Sequence, residues 1–240
     1  MIKSLIINIF LRYRACLCTS ICFFAFFFAF FLPGYSRAAI NFDRLLSLAE
    51  QHYETRAYQS FIELREILNQ LANAPELEKL KVINEYVNRS IRMPGEDIDI
   101  WGKSDYWAAP LESIGRGTGD CEDYSIAKYL FLRELGVPNE KLRLTYARAQ
   151  IGGSHSRIFQ AHMVLSYYAT PNAEPLILDY LIGDIRVASR RPDLRPIFGF
   201  NSNGLWVGNS ASSRGNSTAH LSRWRNVLER ARNEGIELTE

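Results

Sequence analysis

The pattern of hydrophobic and polar positions changes near the middle of the chain. In the first half, apolar residues recur every three to four positions, which is the period of amphipathic helices. This period predicts four helices: one that Asn41 caps, one over residues 61–71, one that Pro75 opens in its first turn, and one that follows Cys121 and stops at Gly136. The first half of the chain is therefore expected to be helical.

The second half has the character of strands. Five segments carry it: residues 142–149, 161–168, 176–181, 185–188 and 204–207. Residues 170–173 read as a turn between two of the strands, residues 201–220 as a loop rich in Ser, Asn and Gly, and residues 221–233 as a short C-terminal helix. Helices first and strands second indicate an α+β fold with an antiparallel sheet.

The first 38 residues have the organisation of a secretory signal peptide. A basic start precedes an apolar run at residues 21–32, and a small-x-small site ends at Ala38. We therefore expect cleavage near Ala38, export to the periplasm and a single domain over residues 39–240. The alternative is an uncleaved anchor, against which the apolar run argues because a membrane span needs about 20 residues.

Removal of this leader changes both the charge and the cysteine content. The leader carries four basic residues and no acid, so the remaining chain has 24 basic and 26 acidic residues, a net charge of −2. This balance gives no support for nucleic-acid binding. Cys16, Cys18 and Cys22 leave with the leader, and none follows a lipobox, so a lipoprotein is not expected. Cys121 is then the single thiol, and no internal disulfide can form.

Cys121 is a candidate nucleophile. It lies in the stretch Gly-Asp-Cys-Glu-Asp-Tyr at a predicted helix start, where unpaired N–H groups and the helix dipole favour the thiolate. The backbone N–H of Cys121 is also the expected oxyanion donor. The alternative is an inert cysteine in the core.

His162 and Asp179 follow Cys121 in the order of a Cys-His-Asp triad. The two lie 17 positions apart, which fits neighbouring strands of a hairpin. His162 could instead be a core histidine, and Asp184 is a competitor for Asp179, although the odd separation places it on the opposite face of an unbroken strand. The order is that of papain-like and transglutaminase-like folds.

Four blocks carry a family resemblance: DYWAAP at residues 105–110, GDCEDY at 119–124, AHMVL at 161–165, and Leu178 with Asp179. With these blocks the chain resembles the bacterial transglutaminase-like cysteine proteinases, and it is most similar to the periplasmic LapG-type adhesin proteases. The resemblance covers most of the chain after the leader. It implies a papain-like or transglutaminase-like fold with Cys121 as nucleophile, His162 as general base and acid, and Asp179 as the orienting carboxylate.

The resemblance also implies a cofactor, a substrate and a partner. Family members of this type are calcium-dependent endopeptidases that cleave the N-terminal region of a large surface adhesin near a pair of small residues, which releases the adhesin and disperses the biofilm. An inner-membrane receptor of the LapD type sequesters the protease when its cytosolic part binds cyclic di-GMP. These properties are expectations for this chain.

The acids around Cys121 support a calcium site independently. Asp120, Glu122 and Asp123 should raise the thiol pKa by their charge, and a cation would offset this effect. Together with Asp105 they supply the hard oxygen ligands that Ca²⁺ prefers, with Asp120 and Glu122 the stronger candidates. The alternative is that these acids cap the helix.

Other function classes stay open at this point. An amidase or an acyl transferase would use the same triad and the same acyl-enzyme, and would differ only in whether water or an amine accepts the acyl group. A non-catalytic binding module on a protease scaffold is a third hypothesis, against which the intact triad argues. A zinc site is not indicated, because the chain after the leader has one cysteine and no His-x-x-x-His pair.

Overall fold

The computed structural model describes residues 38–92, 97–208, 215 and 221–238. These residues belong to one compact unit that begins at Ser36. Residues 1–37 of the predicted signal peptide and parts of the predicted loop at residues 201–220 lie outside the described residues. Within the described part of the chain, no helix is both long and apolar enough to cross a membrane.

The helices have the order that the hydrophobic period predicts. They are α1 (Phe42–His52), α2 (Thr55–Leu71), α3 (Glu76–Ser90), α4 (Asp97–Trp101), α5 (Pro110–Arg116), α6 (Cys121–Glu134) and α7 (Ser222–Glu234). Asn41 caps α1 as predicted, since its side chain accepts a hydrogen bond from the Arg44 amide at 3.1 Å. Pro75 is the residue before α3 rather than part of its first turn. The sequence missed α4 and α5 because five and seven residues are too few to display a period.

A six-stranded antiparallel sheet forms the second half of the fold. Its strands are β2 (Leu142–Ile151), β3 (Ile158–Tyr167), β4 (Leu176–Leu178), β5 (Arg186–Val187), β6 (Leu194–Phe200) and β7 (Leu205–Val207), in the spatial order β5-β4-β3-β2-β6-β7. The five predicted strands are all present. β4 is shorter than predicted and ends at Leu178, which leaves Asp179 just beyond the ladder.

The sequence missed the strand β6 because its residues include two strand breakers. Pro196 lacks an amide hydrogen and Gly199 has no side chain to pack, so the segment does not resemble a strand. β6 nevertheless pairs with β2, with a change of register between Tyr146 and Ala147. Pro196 is accommodated next to this irregularity.

A second, two-stranded sheet joins the two ends of the described chain. β1 (Ala38–Ile40) pairs antiparallel with β8 (Ile236–Leu238), and Ala38 lies opposite Leu238. The hydrogen bond from the Asn41 amide to the Gly235 carbonyl continues this contact at 2.7 Å. Gly235 has a φ of +97°, which suits glycine and ends α7 directly before β8.

The helix α6 lies at the centre of the core. Almost all of its residues from Glu122 to Arg133 are buried, so it has no solvent face. It packs closely on β3, and the Ser125 hydroxyl donates a hydrogen bond to the Met163 carbonyl at 3.1 Å. This contact fixes the start of α6 relative to the part of β3 that carries His162.

Candidate active site

The start of α6 is held by its own acidic side chains. Asp120 caps the helix, because its carboxylate accepts a hydrogen bond from the Glu122 amide at 3.2 Å. Asp123 returns to accept from the Asp120 amide at 3.3 Å and from the Ala108 amide at 2.6 Å. Gly119 leaves the necessary room, since a Cβ there would lie 2.6 Å from the Asp123 carboxylate. Cys121 is consequently the first residue of a rigidly anchored helix.

Cys121 and His162 line the same cleft, as the triad hypothesis requires. The cleft has a volume of about 560 Å³ and also includes Tyr180 and Leu181. The backbone of Met163, the residue after His162, forms a hydrogen bond with the Cys121 sulfur. Cys121 is partly buried and has no disulfide partner among the described residues. The thiol and the imidazole therefore face one space that a substrate can enter.

His162 is oriented by Asp179. The His162 ring nitrogen Nε2 lies 2.9 Å from Asp179 Oδ1, which also accepts hydrogen bonds from the amides of Tyr180 at 2.7 Å and Leu181 at 3.2 Å. Arg191 Nη2 donates to the other oxygen, Oδ2, at 2.7 Å. Burial alone would raise the pKa of Asp179, but His162 and Arg191 outweigh it and lower this pKa to about 2. The carboxylate is ionised at any pH at which the protein works.

An aromatic side chain covers the pair of His162 and Asp179. The Tyr180 ring lies edge-on to the His162 ring with their centroids 5.5 Å apart, and it stacks on the Tyr124 ring at 4.6 Å. The Tyr124 hydroxyl is in turn anchored to the Ile91 carbonyl at 2.6 Å. Exclusion of water strengthens the hydrogen bond between His162 and Asp179. Sequence reasoning missed Tyr180, although its position directly after Asp179 was a usable signal.

The environment of Cys121 is strongly acidic. Its sulfur lies 2.6 Å from Glu122 Oε2. Burial, followed by the charges of Glu122 and Asp120, raises the pKa of the Cys121 thiol, in the direction predicted from the sequence. The Met163 backbone favours the thiolate but does not reverse this effect. Burial and the neighbouring carboxylates thus favour the protonated thiol over the thiolate, and a bound cation would offset the part that is due to charge.

Asp97 joins this acidic cluster, and the sequence did not single it out. Its side chain interacts electrostatically with Asp120, and one of its carboxylate oxygens accepts from the Tyr106 amide at 2.6 Å. The other oxygen is buried without a hydrogen-bond partner in the described structure. Burial and the charges of its neighbours raise the pKa of Asp120 to about 9. The acidic cluster therefore contains a buried carboxylate oxygen that no hydrogen bond of the described structure satisfies.

These residues fit a hard cation. Ligand atoms of Asp120, Cys121 and Glu122 all lie within 4.8 Å of one another, and carboxylate oxygens are the atoms that Ca²⁺ selects. The soft thiol is not a calcium ligand. The orphaned oxygen of Asp97 adds a further hard donor beside Asp120. The set of carboxylates matches calcium in chemistry.

The two weaker ligand candidates have other partners. Both carboxylate oxygens of Asp123 accept hydrogen bonds from backbone amides, which is the capping role considered as the alternative. Asp105 is exposed, has a φ of +54° and pairs with Arg223 at 2.6 Å, although it lines the same cleft as Asp120. Neither arrangement tests calcium binding, and both assignments stay predictions.

The competing acid and the other two described histidines lie apart from this site. Asp184 is 82% exposed and pairs with Arg186 on the surface. His155 is exposed in the β2–β3 connection, and His52 is exposed at the end of α1. His220 lies outside the described residues. Asp179 is therefore the acid that the fold brings to His162.

The chain is similar in sequence and in fold to known bacterial cysteine proteinases. The family model described as "Bacterial transglutaminase-like cysteine proteinase BTLCP" matches residues 57–190. LapG from Legionella pneumophila in its EGTA-treated form is 37% identical with a TM-score of 0.69, over 80% of this chain and 98% of that one. Its calcium-bound form is 38% identical with a TM-score of 0.66, over 80% and 99%. No curated protein matches the chain significantly.

The low pKa of Asp179 predicts a specific loss of stability in acid. Because this pKa falls from 3.8 to about 2 on folding, the ionised carboxylate stabilises the fold above about pH 4, and the contribution is lost as the pH falls through about 2. The shift corresponds to about 2 kcal/mol at neutral pH. We expect Asp179→Asn to lose at least this much free energy of unfolding at neutral pH, measured by urea titration.

The difference between Asp179→Asn and the parent should shrink as the pH is lowered through the same interval. The exposed Asp184→Asn is the matched control and should change the free energy of unfolding by less than about 0.5 kcal/mol. A difference for Asp179→Asn that persisted undiminished at about pH 2 would contradict the role given to its charge.

Proposed function

The chain belongs to the bacterial transglutaminase-like cysteine proteinases, and on this premise we propose that it is a periplasmic, calcium-dependent endopeptidase that cleaves a large surface adhesin. One observation carries the catalytic part of the proposal. Cys121 begins α6 in the cleft that His162 lines, and Asp179 holds the other side of the imidazole at 2.9 Å.

The proposed mechanism follows from the two nitrogens of the His162 ring. Asp179 accepts the hydrogen on Nε2, so Nδ1 is the nitrogen that takes the thiol proton of Cys121. The thiolate attacks the peptide carbonyl, and the Cys121 amide at the helix start donates to the oxyanion. The imidazolium then protonates the leaving amine as the C–N bond breaks. Water, deprotonated by His162, hydrolyses the resulting thioester and restores the thiol.

The acidic cluster is proposed as the calcium site. Asp120 and Glu122 are the principal ligands, Asp97 adds a third carboxylate, and Asp105 and Asp123 are the weaker candidates. Ca²⁺ bound there would supply the positive charge that offsets the carboxylates around the Cys121 thiol. The raised pKa of Asp120 and the unpartnered oxygen of Asp97 support this assignment. The existence of calcium-bound and EGTA-treated structures of the similar LapG supports it further.

The substrate and the partner are proposed from similarity. The chain spans 98% of the LapG chain at 37% identity, which supports an adhesin with an accessible N-terminal region as the substrate. An inner-membrane receptor of the LapD type, controlled by cyclic di-GMP, is proposed as the inhibitor. The resulting role is control of biofilm attachment and dispersal.

An amidase or acyl transferase is the second candidate function. It would use the same thioester, and the acceptor separates the two functions. Incubation of a cleavable adhesin fragment with a primary amine should yield free carboxyl termini for a peptidase and amide-linked amine for a transferase.

Replacement of Cys121 should abolish cleavage without unfolding the protein. We expect Cys121→Ala and Cys121→Ser to lower cleavage of a purified N-terminal adhesin fragment by at least about a thousandfold, because the attacking atom is lost. Gel electrophoresis of the purified fragment measures this loss. Iodoacetamide should inactivate the parent by modifying Cys121 alone, as shown by mass spectrometry. Cleavage by folded Cys121→Ala at the parent rate would refute the triad.

Calcium should stabilise the protein through the acidic cluster. At a concentration a hundredfold above its Kd, Ca²⁺ should raise Tm by about 5–10 °C relative to EGTA, and Mg²⁺ should do so less. Asp120→Asn with Glu122→Gln should remove most of this shift and the cleavage activity, whereas Asp184→Asn should keep both. Full cleavage in EGTA, with no Tm response to calcium, would return these acids to the role of helix caps.

The leader should be absent from the exported protein. We expect N-terminal sequencing of the periplasmic form to begin at Ala39, which leaves Ala39 and Ile40 in β1. Retention of residues 1–38 in a membrane fraction would instead support the uncleaved anchor.

A further inference from the structure

Arg191 bridges the candidate active site and a second carboxylate. It lies between β5 and β6 and is only 2% exposed. Its Nη2 donates to Asp179 Oδ2 at 2.7 Å and to Asp193 Oδ2 at 2.8 Å, and its Nε donates to Asp193 Oδ1 at 3.1 Å. One guanidinium group is therefore anchored by Asp193 while it holds Asp179.

The two oxygens of Asp179 are fixed in different ways. Oδ1 faces His162 and is bonded to the amides of Tyr180 and Leu181, which are the next two residues of the chain. Oδ2 is held by Arg191, which comes from a separate segment. Since β4 ends at Leu178, no strand ladder holds the backbone of Asp179, whose carbonyl instead accepts a hydrogen bond from Asn88 Nδ2 at 3.0 Å. The plane of the carboxylate, and with it the direction of the bond to His162, depends on the guanidinium.

We propose that Arg191 is a positioning residue of the peptidase: it fixes the Asp179 carboxylate so that Oδ1 orients the His162 ring toward Cys121. The inference rests on the proposed function, and Arg191 itself touches neither thiol nor imidazole. A planar guanidinium suits the role because its donors form a rigid fork that contacts two carboxylates at once.

Positive charge alone does not account for this arrangement. Lys128 is also buried and interacts electrostatically with Asp179, but no described hydrogen bond joins the two side chains. Burial lowers the pKa of Lys128 to about 7, so replacement of Arg191 would leave only a partly charged group near Asp179 and would remove the directional contact. A purely structural ion pair predicts lower stability with unchanged kcat, whereas a positioning residue predicts a lower kcat in the molecules that remain folded.

The test compares three variants of the calcium-loaded protein on the adhesin fragment. Arg191→Met should lower kcat about 10- to 100-fold with KM within about twofold, because misalignment of the base acts on the chemical step rather than on binding. Arg191→Lys keeps the charge but not the fork, and should recover part of kcat. The neighbouring, exposed Arg190→Met is the matched control and should keep the parental kcat and KM.

A spectroscopic measurement reports the bond itself. The His162 Nε2 proton should give a low-field ¹H signal in ¹⁵N-histidine-labelled protein, assigned by its loss in Asp179→Asn. This signal should move upfield or broaden in Arg191→Met and stay in place in Arg190→Met. In the Asp179→Asn background, Arg191→Met should change kcat less than about threefold, because the residue through which it acts has been removed.

The outcomes separate this inference from the proposed function. Parental kcat and an unmoved His162 signal in folded Arg191→Met overturn the positioning role, while Cys121-dependent cleavage by the parent keeps the peptidase. If Arg191→Met does not fold, Arg191→Lys decides: a reduced kcat with a displaced signal supports the role, and parental values for both overturn it. Absence of any Cys121-dependent cleavage by the parent defeats the proposed function itself.

Discussion

The site depends on the packing of one buried helix against one strand. α6 has no solvent face, so its position is set by the core on every side, and its hydrogen bond from Ser125 to the Met163 carbonyl ties it to β3. Cys121 is one helical turn before Ser125, and His162 precedes Met163 directly. A shift of either element would separate the thiol from the imidazole. The precision of the site is therefore a property of the core, which protein interiors maintain because they are close-packed.

The charges near the Cys121 sulfur disfavour its reactive thiolate, whereas the charges near the His162 imidazole support its proposed role as a base. Around Cys121, burial and the carboxylates of Glu122 and Asp120 disfavour the thiolate, whereas His162 and Arg191 keep Asp179 ionised. The charges thus favour the proposed base, His162, and disfavour the thiolate of the proposed nucleophile, Cys121. A cation bound near the Cys121 thiol would therefore change the reactivity of that thiol without any movement of the His162 imidazole.

The sequence predicted those parts of the fold and the site that have a local signal. Period and capping identified the long helices, and residue order identified Cys121, His162 and Asp179, which the fold does bring together. Arg191 was missed because it lies in an irregular segment between strands and acts through a contact across twelve positions. Asp97 was missed because its burial and its contact with Asp120 arise only from tertiary packing. Local sequence patterns do not predict such contacts, because tertiary packing determines which side chains are buried against each other.

The pairing of β1 with β8 bears on the proposed export, because β1 contains the proposed cleavage site. Ala38 and Leu238 are two hundred positions apart, and closing so long a loop costs chain entropy before the contacts that stabilise it can form. Because the N-terminus is synthesised first, β1 and the bond after Ala38 stay unpaired until β8 has followed. Once the ladder closes, Ala38 is 3% exposed and its bond is inaccessible to a peptidase. The proposed leader removal and the closure of the β1–β8 ladder thus involve the same three residues, Ala38–Ile40, and the direction of synthesis lets the proposed removal happen first.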